Sequence, residues 1–283
     1  MPDRARRKVW KPGVLSDRLV ALSPELSDME RSTRLGHEIR DVRAAWLDDM
    51  FVRTRRGDLI AKGLSTLTGE AVNGLFEAGA AIYPEEAQHL AVLTVGGFGR
   101  GRLAPFSDID LLFLHSSNAA HKIKPLLDFI LYALWDAGLT VAQAVRSPAG
   151  AIEFCKQDVE GCTSYLDGRH LAGSEELTRD FLQRYDRYRR QSIPAFVEAK
   201  LKERDERIAA GNLSRYAVEP DVKEGKGGLR DLETLHWLSR YAFGAADSEG
   251  RIAAGVFTEE EAASFEKALD FLWSVRVQPH RLR

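Results

Sequence analysis

Long apolar runs are absent from this sequence of 283 residues. No stretch approaches the length of about 20 apolar residues that a transmembrane helix needs. The basic start, residues 1–13, is not followed by the apolar segment that a secretory signal contains. We therefore expect a cytoplasmic protein with no membrane partner.

The sequence also contains few cysteines and has a small net charge. The two cysteines, Cys155 and Cys162, lie seven positions apart, which on one helix is the same face, and they form no CxxC motif. This spacing predicts buried thiols in a reducing compartment. The formal net charge of −2 gives no general attraction to nucleic acid, so we expect no nucleic-acid partner and only local phosphate binding.

The most informative stretch covers residues 92–115, VLTVGGFGRGRLAPFSDIDLLFLH. Its first apolar run predicts a buried strand that ends at Gly96 and Gly97, and a second run predicts a strand over 109–114. Asp108 and Asp110 open the second strand, where residues two apart share a face. Two carboxylates held this close repel each other unless a cation lies between them, so the pattern predicts a divalent metal site.

The turn between the two strands predicts a phosphate site. Gly96 and Gly97 let backbone N–H groups approach a phosphate, and Arg100 and Arg102 supply positive charge. A dinucleotide-binding turn would need its glycines to open a long helix, which Pro105 interrupts here, and the P-loop and kinase signatures are missing. Together with the carboxylate pair, the turn predicts a site for a nucleoside triphosphate and Mg²⁺.

The order of strand, turn, strand, helix and strand predicts a small α/β unit without a long doubly wound sheet. Helical spacing predicts helices over 29–51, 59–80, 122–137, 175–210 (broken at position 194) and 259–277, with further helices starting at 148 and after 228. We expect a loosely attached arm over about the first 30 residues. The last helix stops at QPHRLR without a cap, which suggests a truncated chain.

Two further stretches bear on the site. Residues 162–174, CTSYLDGRHLAGS, form either a strand that directs Asp167 towards the first carboxylates or a helix end near Gly173, and we favour the strand. Lys223, Lys226 and Arg230 crowd the start of a predicted helix, where the dipole and free N–H groups favour an anion. The alternative is a structural turn with exposed lysines.

A Gly-Gly pair followed by Asp-x-Asp on a strand resembles the nucleotidyltransferase superfamily with a polymerase-β-like core. GGFGRGRLAPFSDIDLLFL (96–114) and EPDVKEGKGGLRDLETLHWLSRYAFG (219–244) are more closely similar to the bacterial [protein-PII] uridylyltransferase family. This resemblance runs from about residue 35 to 277. Glutamine-synthetase adenylyltransferases share the Gly-Gly and Asp-x-Asp pattern and are the nearest alternative.

The resemblance implies an α+β fold, with a small mixed sheet flanked by N-terminal and C-terminal helical regions. It implies an arm and helix over 1–58, a nucleotidyltransferase domain over 59–175 and a helical domain over 176–283. The implied reaction is Mg²⁺-dependent transfer of UMP from UTP to a tyrosine of the PII nitrogen-regulatory protein, with release of pyrophosphate. The alternatives are an adenylyltransferase that acts on glutamine synthetase or another protein, and a silent fragment that only binds nucleotide or PII.

The resemblance also implies roles for individual residues. The catalytic and metal-binding carboxylates would be Asp108, Asp110 and Asp167. The nucleotide would be bound by Gly96, Gly97, Arg100, Arg102, Ser107, Lys223, Lys226 and Arg230. The sequence departs from the family in two ways: AQAVRS stands at 142–147 where members tend to have GHSVRT, and no histidine is followed by the aspartate of an HD hydrolase domain.

Overall fold

A computed structural model describes residues 26–117, 119–211 and 221–278. Most of the predicted N-terminal arm and of the closing QPHRLR segment lies outside these ranges. Within them the chain forms an α+β fold with four strands and twelve α-helices. None of the helices in these ranges is both long and apolar enough to cross a bilayer.

The four strands form one mixed sheet in the order β3-β2-β1-β4. β1 is antiparallel to both β2 and β4, and β2 is parallel to β3. Every residue of β1 is buried, which explains its continuous apolar sequence. The strands are β1 Leu90–Thr94, β2 Ile109–His115, β3 Val141–Arg146 and β4 Arg169–Gly173.

The structure confirms the long helices that the apolar periodicity predicts. The helices predicted over 29–51, 59–80, 122–137 and 259–277 begin and end within two residues of the observed ones. The helices are α1 Asp28–Arg53, α2 Gly57–Ile82, α3 Pro84–Ala87, α4 Gly96–Gly99, α5 Lys124–Asp136, α6 Pro148–Gln157, α7 Val159–Thr163, α8 Glu175–Gln191, α9 Ile193–Gly211, α10 Leu229–Phe243, α11 Ser248–Ala253 and α12 Glu259–Val277.

A hydrophobic core lies on each face of the sheet. Leu90 and Val92 of β1 join the core built with α1, α2, α5 and α12. The residues between and after them, Ala91 and Leu93, join the core built with α6, α8, α9 and α10. Because successive strand residues point to opposite faces, β1 holds the two cores together.

The cysteine prediction is wrong in one respect. Cys155 and Cys162 are buried as expected, but they are joined in a disulfide, with Cα atoms 4.8 Å apart. One continuous helix would separate them by about 10 Å. The helix instead ends at Asp158, whose side chain accepts a hydrogen bond from the Gly161 N–H and starts α7, so the chain folds back.

Candidate active site

The turn between β1 and β2 is shaped around Asp110. The chain leaves β1 at Thr94 and makes one helical turn, α4, before it returns as β2. Gly96 has φ of +54°, and a Cβ at this position would lie 2.5 Å from Oδ2 of Asp110. Position 96 therefore requires glycine both for its backbone conformation and for the close approach of the carboxylate.

The two carboxylates of the Asp-x-Asp pattern share one cavity of about 400 Å³. Asp108 is exposed just before β2, and Asp110 is half-buried as the second residue of the strand. Burial raises the pKa of Asp110, and the charge of Asp108 raises this pKa further, against opposing effects of Arg100, a Gly97 backbone hydrogen bond and Lys223. Two neighbouring carboxylates, one of them half-buried, favour binding of a cation between them.

Nine of the eleven residues predicted from the sequence line this cavity. They come from the α4 turn and the start of β2, which are neighbours in the chain, and from the start of α10, which is distant from both. The nine are Gly96, Gly97, Arg100, Arg102, Ser107, Asp108, Asp110, Lys223 and Arg230. Lys226 is exposed and is not part of the cavity wall, and neither is Asp167.

Arg100 is fixed at the edge of the cavity by two carboxylates. Its Nη1 lies 3.1 Å from Oδ2 of Asp167, and its Nη2 lies 2.6 Å from Oε1 of Glu233. Glu233 also accepts a hydrogen bond of 2.9 Å from Arg230. Both arginines therefore reach the cavity from a shared, partly buried ion-pair network.

Asp167 has a different place from the one we favoured. It is the last residue of a 3₁₀ turn, Ser164–Asp167, and β4 begins only at Arg169. The carboxylate is 1% exposed and lies 3.1 Å from Arg100, 3.2 Å from His236 and 3.2 Å from Arg240. Burial would raise the pKa of Asp167, but His236, Arg100 and Arg240 hold this pKa below its ordinary value.

These partners replace the predicted carboxylate cluster. Among the described residues, no group of three or more His, Cys, Asp or Glu side chains is placed to hold a metal ion. The favoured strand does form within residues 162–174, as β4, but Asp167 lies just before it, and its partners are Arg100, His236 and Arg240 in place of Asp108 and Asp110. The physical reason is long-range: the three basic side chains that surround Asp167 come from α10 and from the residue after α4.

The start of α10 also differs in one respect from the prediction. The N–H groups of Leu229 and Arg230 donate hydrogen bonds of 2.9 Å to the carbonyl oxygens of Val222 and Lys223. These N–H groups are used by the preceding turn, so the predicted contribution of free N–H groups is wrong here. The positive charge at this wall comes from the side chains of Lys223 and Arg230.

Sequence reasoning missed the helical side of the cavity. Lys200 and Glu203 of α9, Trp237 of α10 and Arg276 of α12 also line it. A sequence signal existed only for Lys200, which lies one helical turn after Phe196 on the face that carries apolar residues. The other three residues are common on helices, and nothing local marks them as parts of a site.

Comparison with known proteins indicates the family of this chain. A family model described as GlnD PII-uridylyltransferase matches residues 195–283. A bifunctional uridylyltransferase/uridylyl-removing enzyme of Phenylobacterium zucineum (strain HLK1) is 42% identical over 226 residues, which are 78% of this chain and 24% of that protein. The chain belongs to the GlnD PII-uridylyltransferase family.

Other GlnD-family relatives give the same result. Enzymes of the same name from Caulobacter vibrioides (strain NA1000 / CB15N) and Bradyrhizobium sp. (strain ORS 278) are 43% and 40% identical over 77% and 81% of this chain. These matches cover 24% and 25% of the two relatives. The chain thus spans about a quarter of the length of the GlnD-family proteins it matches.

Proposed function

We propose that this chain is a Mg²⁺-dependent nucleotidyltransferase that transfers UMP from UTP to a tyrosine of the PII protein and releases pyrophosphate. The observation that carries the proposal is the carboxylate pair Asp108 and Asp110, which opens β2 against the Gly96 turn in a cavity with basic walls. The mixed sheet with this turn and this strand start also supports a polymerase-β-like core. The similarity to enzymes named uridylyltransferase favours UTP as the donor.

The donor set of the cavity fits Mg²⁺. This ion binds oxygen ligands and is commonly held by one or two carboxylates together with the phosphates of a substrate. Asp108 and Asp110 supply two carboxylates, and Asp110 is half-buried, so that burial first and then the charge of Asp108 raise its pKa. Mg²⁺ held by these residues would neutralise phosphate charge and favour the oxyanion of a phenol whose pKa is ordinarily about 10.

The remaining residues bind and orient the triphosphate. Gly96 and Gly97 keep the backbone close to the phosphates, because neither has a side chain to hold them away. Arg102, Lys223 and the Ser107 hydroxyl supply charge and hydrogen bonds around the leaving pyrophosphate. In the reaction the tyrosine oxygen forms a bond to the α-phosphorus, the bond from that phosphorus to pyrophosphate breaks, and the phenol loses its proton.

Asp167 is proposed as a positioning residue. It sets the orientation of Arg100, whose other contact is Glu233, so the guanidinium reaches the cavity edge in one geometry. Arg251 lies 3.3 Å from Nδ1 of His236 and can only donate, so Nε2 of His236 carries the proton and donates to Asp167. The basic environment leaves Asp167 ionised as an acceptor.

Labelled nucleotides test the proposal. The chain is incubated with Mg²⁺, purified PII and either UTP or ATP labelled at the α-phosphate, and label in PII is counted. We expect label from UTP on a tyrosine. Label from ATP alone would indicate an adenylyltransferase instead, and nucleotide binding without any transfer would indicate a silent fragment.

A further inference from the structure

A buried ion pair on α9 lines the cavity on its helical side. Lys200 is 3% exposed, and its Nζ lies 2.6 Å from Oε2 of Glu203, which is 30% exposed. Both side chains belong to the wall of the cavity that contains Asp108 and Asp110. The reaction described above uses neither of them.

The burial of Lys200 needs an explanation, since removing an ammonium from water is costly unless partners compensate. Its partners are Glu203 and two aromatic rings, with Nζ 4.9 Å from the ring centroid of Trp237 and 5.9 Å from that of Phe196. A methionine would fill a similar volume among these rings without the cost of desolvation. A charged pair at this cavity wall is therefore better explained by a ligand than by packing.

A series of charge interactions connects this pair to Asp110. The charges of Arg100, Asp108 and Lys223 act on Asp110. Arg100 contacts Glu233, and Glu233 contacts Arg230. Beyond these, the charge of Glu203 acts on Arg230, and Glu203 binds Lys200.

This order gives a direction to a bound nucleotide. If the phosphates lie against Gly96, Asp108 and Asp110, the nucleoside extends along the wall past Arg230. Its base then meets α9, where Lys200 and Glu203 lie side by side. In that orientation the pair lies where the base would be recognised.

We propose that Lys200 and Glu203 read the edge of the base and select uracil over cytosine and adenine. The inference rests on the proposed function, because it takes the cavity to bind a nucleoside triphosphate. An ammonium only donates hydrogen bonds and a carboxylate only accepts them. Lys200 donates to O4 of uracil, and Glu203 accepts the neighbouring N3–H.

The same pair disfavours the hydrogen-bonding edges of cytosine and adenine. Cytosine presents an amino group where uracil has O4 and an acceptor nitrogen where uracil has N3–H, and adenine presents the same reversed order. Either base would place donor against donor and acceptor against acceptor, which leaves buried polar groups unpaired. The arrangement thus selects UTP over both CTP and ATP.

Binding of non-hydrolysable UTP and CTP analogues in the presence of Mg²⁺ tests the inference without PII. CTP is the better competitor because it matches UTP in size. For the wild-type chain we expect the UTP analogue to bind at least about tenfold more tightly than the CTP analogue, since two hydrogen bonds are reversed. In Lys200→Met and in Glu203→Gln the preference falls to within about threefold, while affinity for inorganic triphosphate is retained.

Lys202→Met is the matched control, because Lys202 lies on the same helix, is 75% exposed and pairs with Glu206 at 3.8 Å. This variant keeps the wild-type preference. An unchanged preference in Glu203→Gln, or an equal loss of triphosphate binding, overturns the inference. If circular dichroism shows that Lys200→Met does not fold, Glu203→Gln decides, since its side chain is less buried.

The outcomes separate this inference from the proposed function. If the UTP preference depends on the pair but no label enters PII, the base-reading role stands and the proposed transfer to PII fails. If label enters PII and the preference does not depend on the pair, the proposed function stands and the inference fails. If the chain binds neither nucleotide nor triphosphate, both fail.

Discussion

Asp110 combines a functional position with an unfavourable environment. Burial and the neighbouring Asp108 raise the pKa of its carboxyl group. The folded chain therefore binds this proton more tightly than the unfolded chain does. Between the ordinary pKa of aspartate and the raised value, this group makes the free energy of unfolding decrease as pH rises.

Asp110→Asn removes this ionisation and leaves the shape of the side chain. Without divalent cations, we expect the variant to be more stable than the wild type at neutral pH. Its free energy of unfolding should also lack the decrease with rising pH that the Asp110 carboxyl group causes. Thermal unfolding between about pH 4 and 7, the range above the ordinary aspartate pKa, measures the effect. Added Mg²⁺ should raise the melting temperature of the wild type more than that of the variant.

Asp41→Asn controls for loss of a negative charge alone, since the Asp41 side chain is 77% exposed on α1. It should follow the wild-type pH profile and respond to Mg²⁺ as the wild type does. If the stability of Asp110→Asn has the same dependence on pH and on Mg²⁺ as that of the wild type, the assignment of Asp110 as a buried, metal-binding carboxylate is contradicted.

The short helix α4 illustrates how an element determines the site. Because Gly96 has a positive φ and its missing Cβ leaves room for Oδ2 of Asp110, the turn and the carboxylate fit each other. In Gly97 a Cβ would meet no atom closer than 3.7 Å. Position 96 therefore requires glycine, whereas position 97 has room for a Cβ.

This difference gives a paired prediction. Gly96→Ala should lower the free energy of unfolding by about 1–2 kcal/mol, the cost of the left-handed conformation, and should reduce transfer at least about tenfold because Asp110 is displaced. Gly97→Ala should cost less in both measurements. Chemical denaturation and the PII labelling rate test the pair, and equal effects at the two positions would contradict the geometry.

The long helices and the strands β1 and β2 were predictable because each carries its own apolar period. Elements set by individual side-chain contacts were not. The break at Asp158 depends on a side-chain cap, and the 3₁₀ turn that ends at Asp167 depends on Arg100 and His236. Residues 162–174 contain both this turn and the strand β4, and the local sequence does not show that Asp167 falls in the turn.

At the scale of the whole molecule, one charge network joins the sheet region to the helical region. Asp167 and Glu233 bind Arg100 from two directions, and Glu233 continues the network to Arg230. Two local motifs were enough to predict nine of the residues that line the cavity. The α9 wall was not predicted. Lys200 lies one turn after Phe196, but a lysine and a glutamate three residues apart are also ordinary on an exposed helix, and the tertiary fold buries Lys200.

The most direct test of the account compares the wild type with Asp110→Asn in transfer of α-labelled UMP to PII in the presence of Mg²⁺. Circular dichroism and unfolding confirm that both chains fold. We predict label on a PII tyrosine with the wild type and a loss of at least about a hundredfold, about 2.7 kcal/mol of barrier, with the variant. Undiminished transfer by a folded Asp110→Asn chain would contradict the assignment of this cavity as the transferase site.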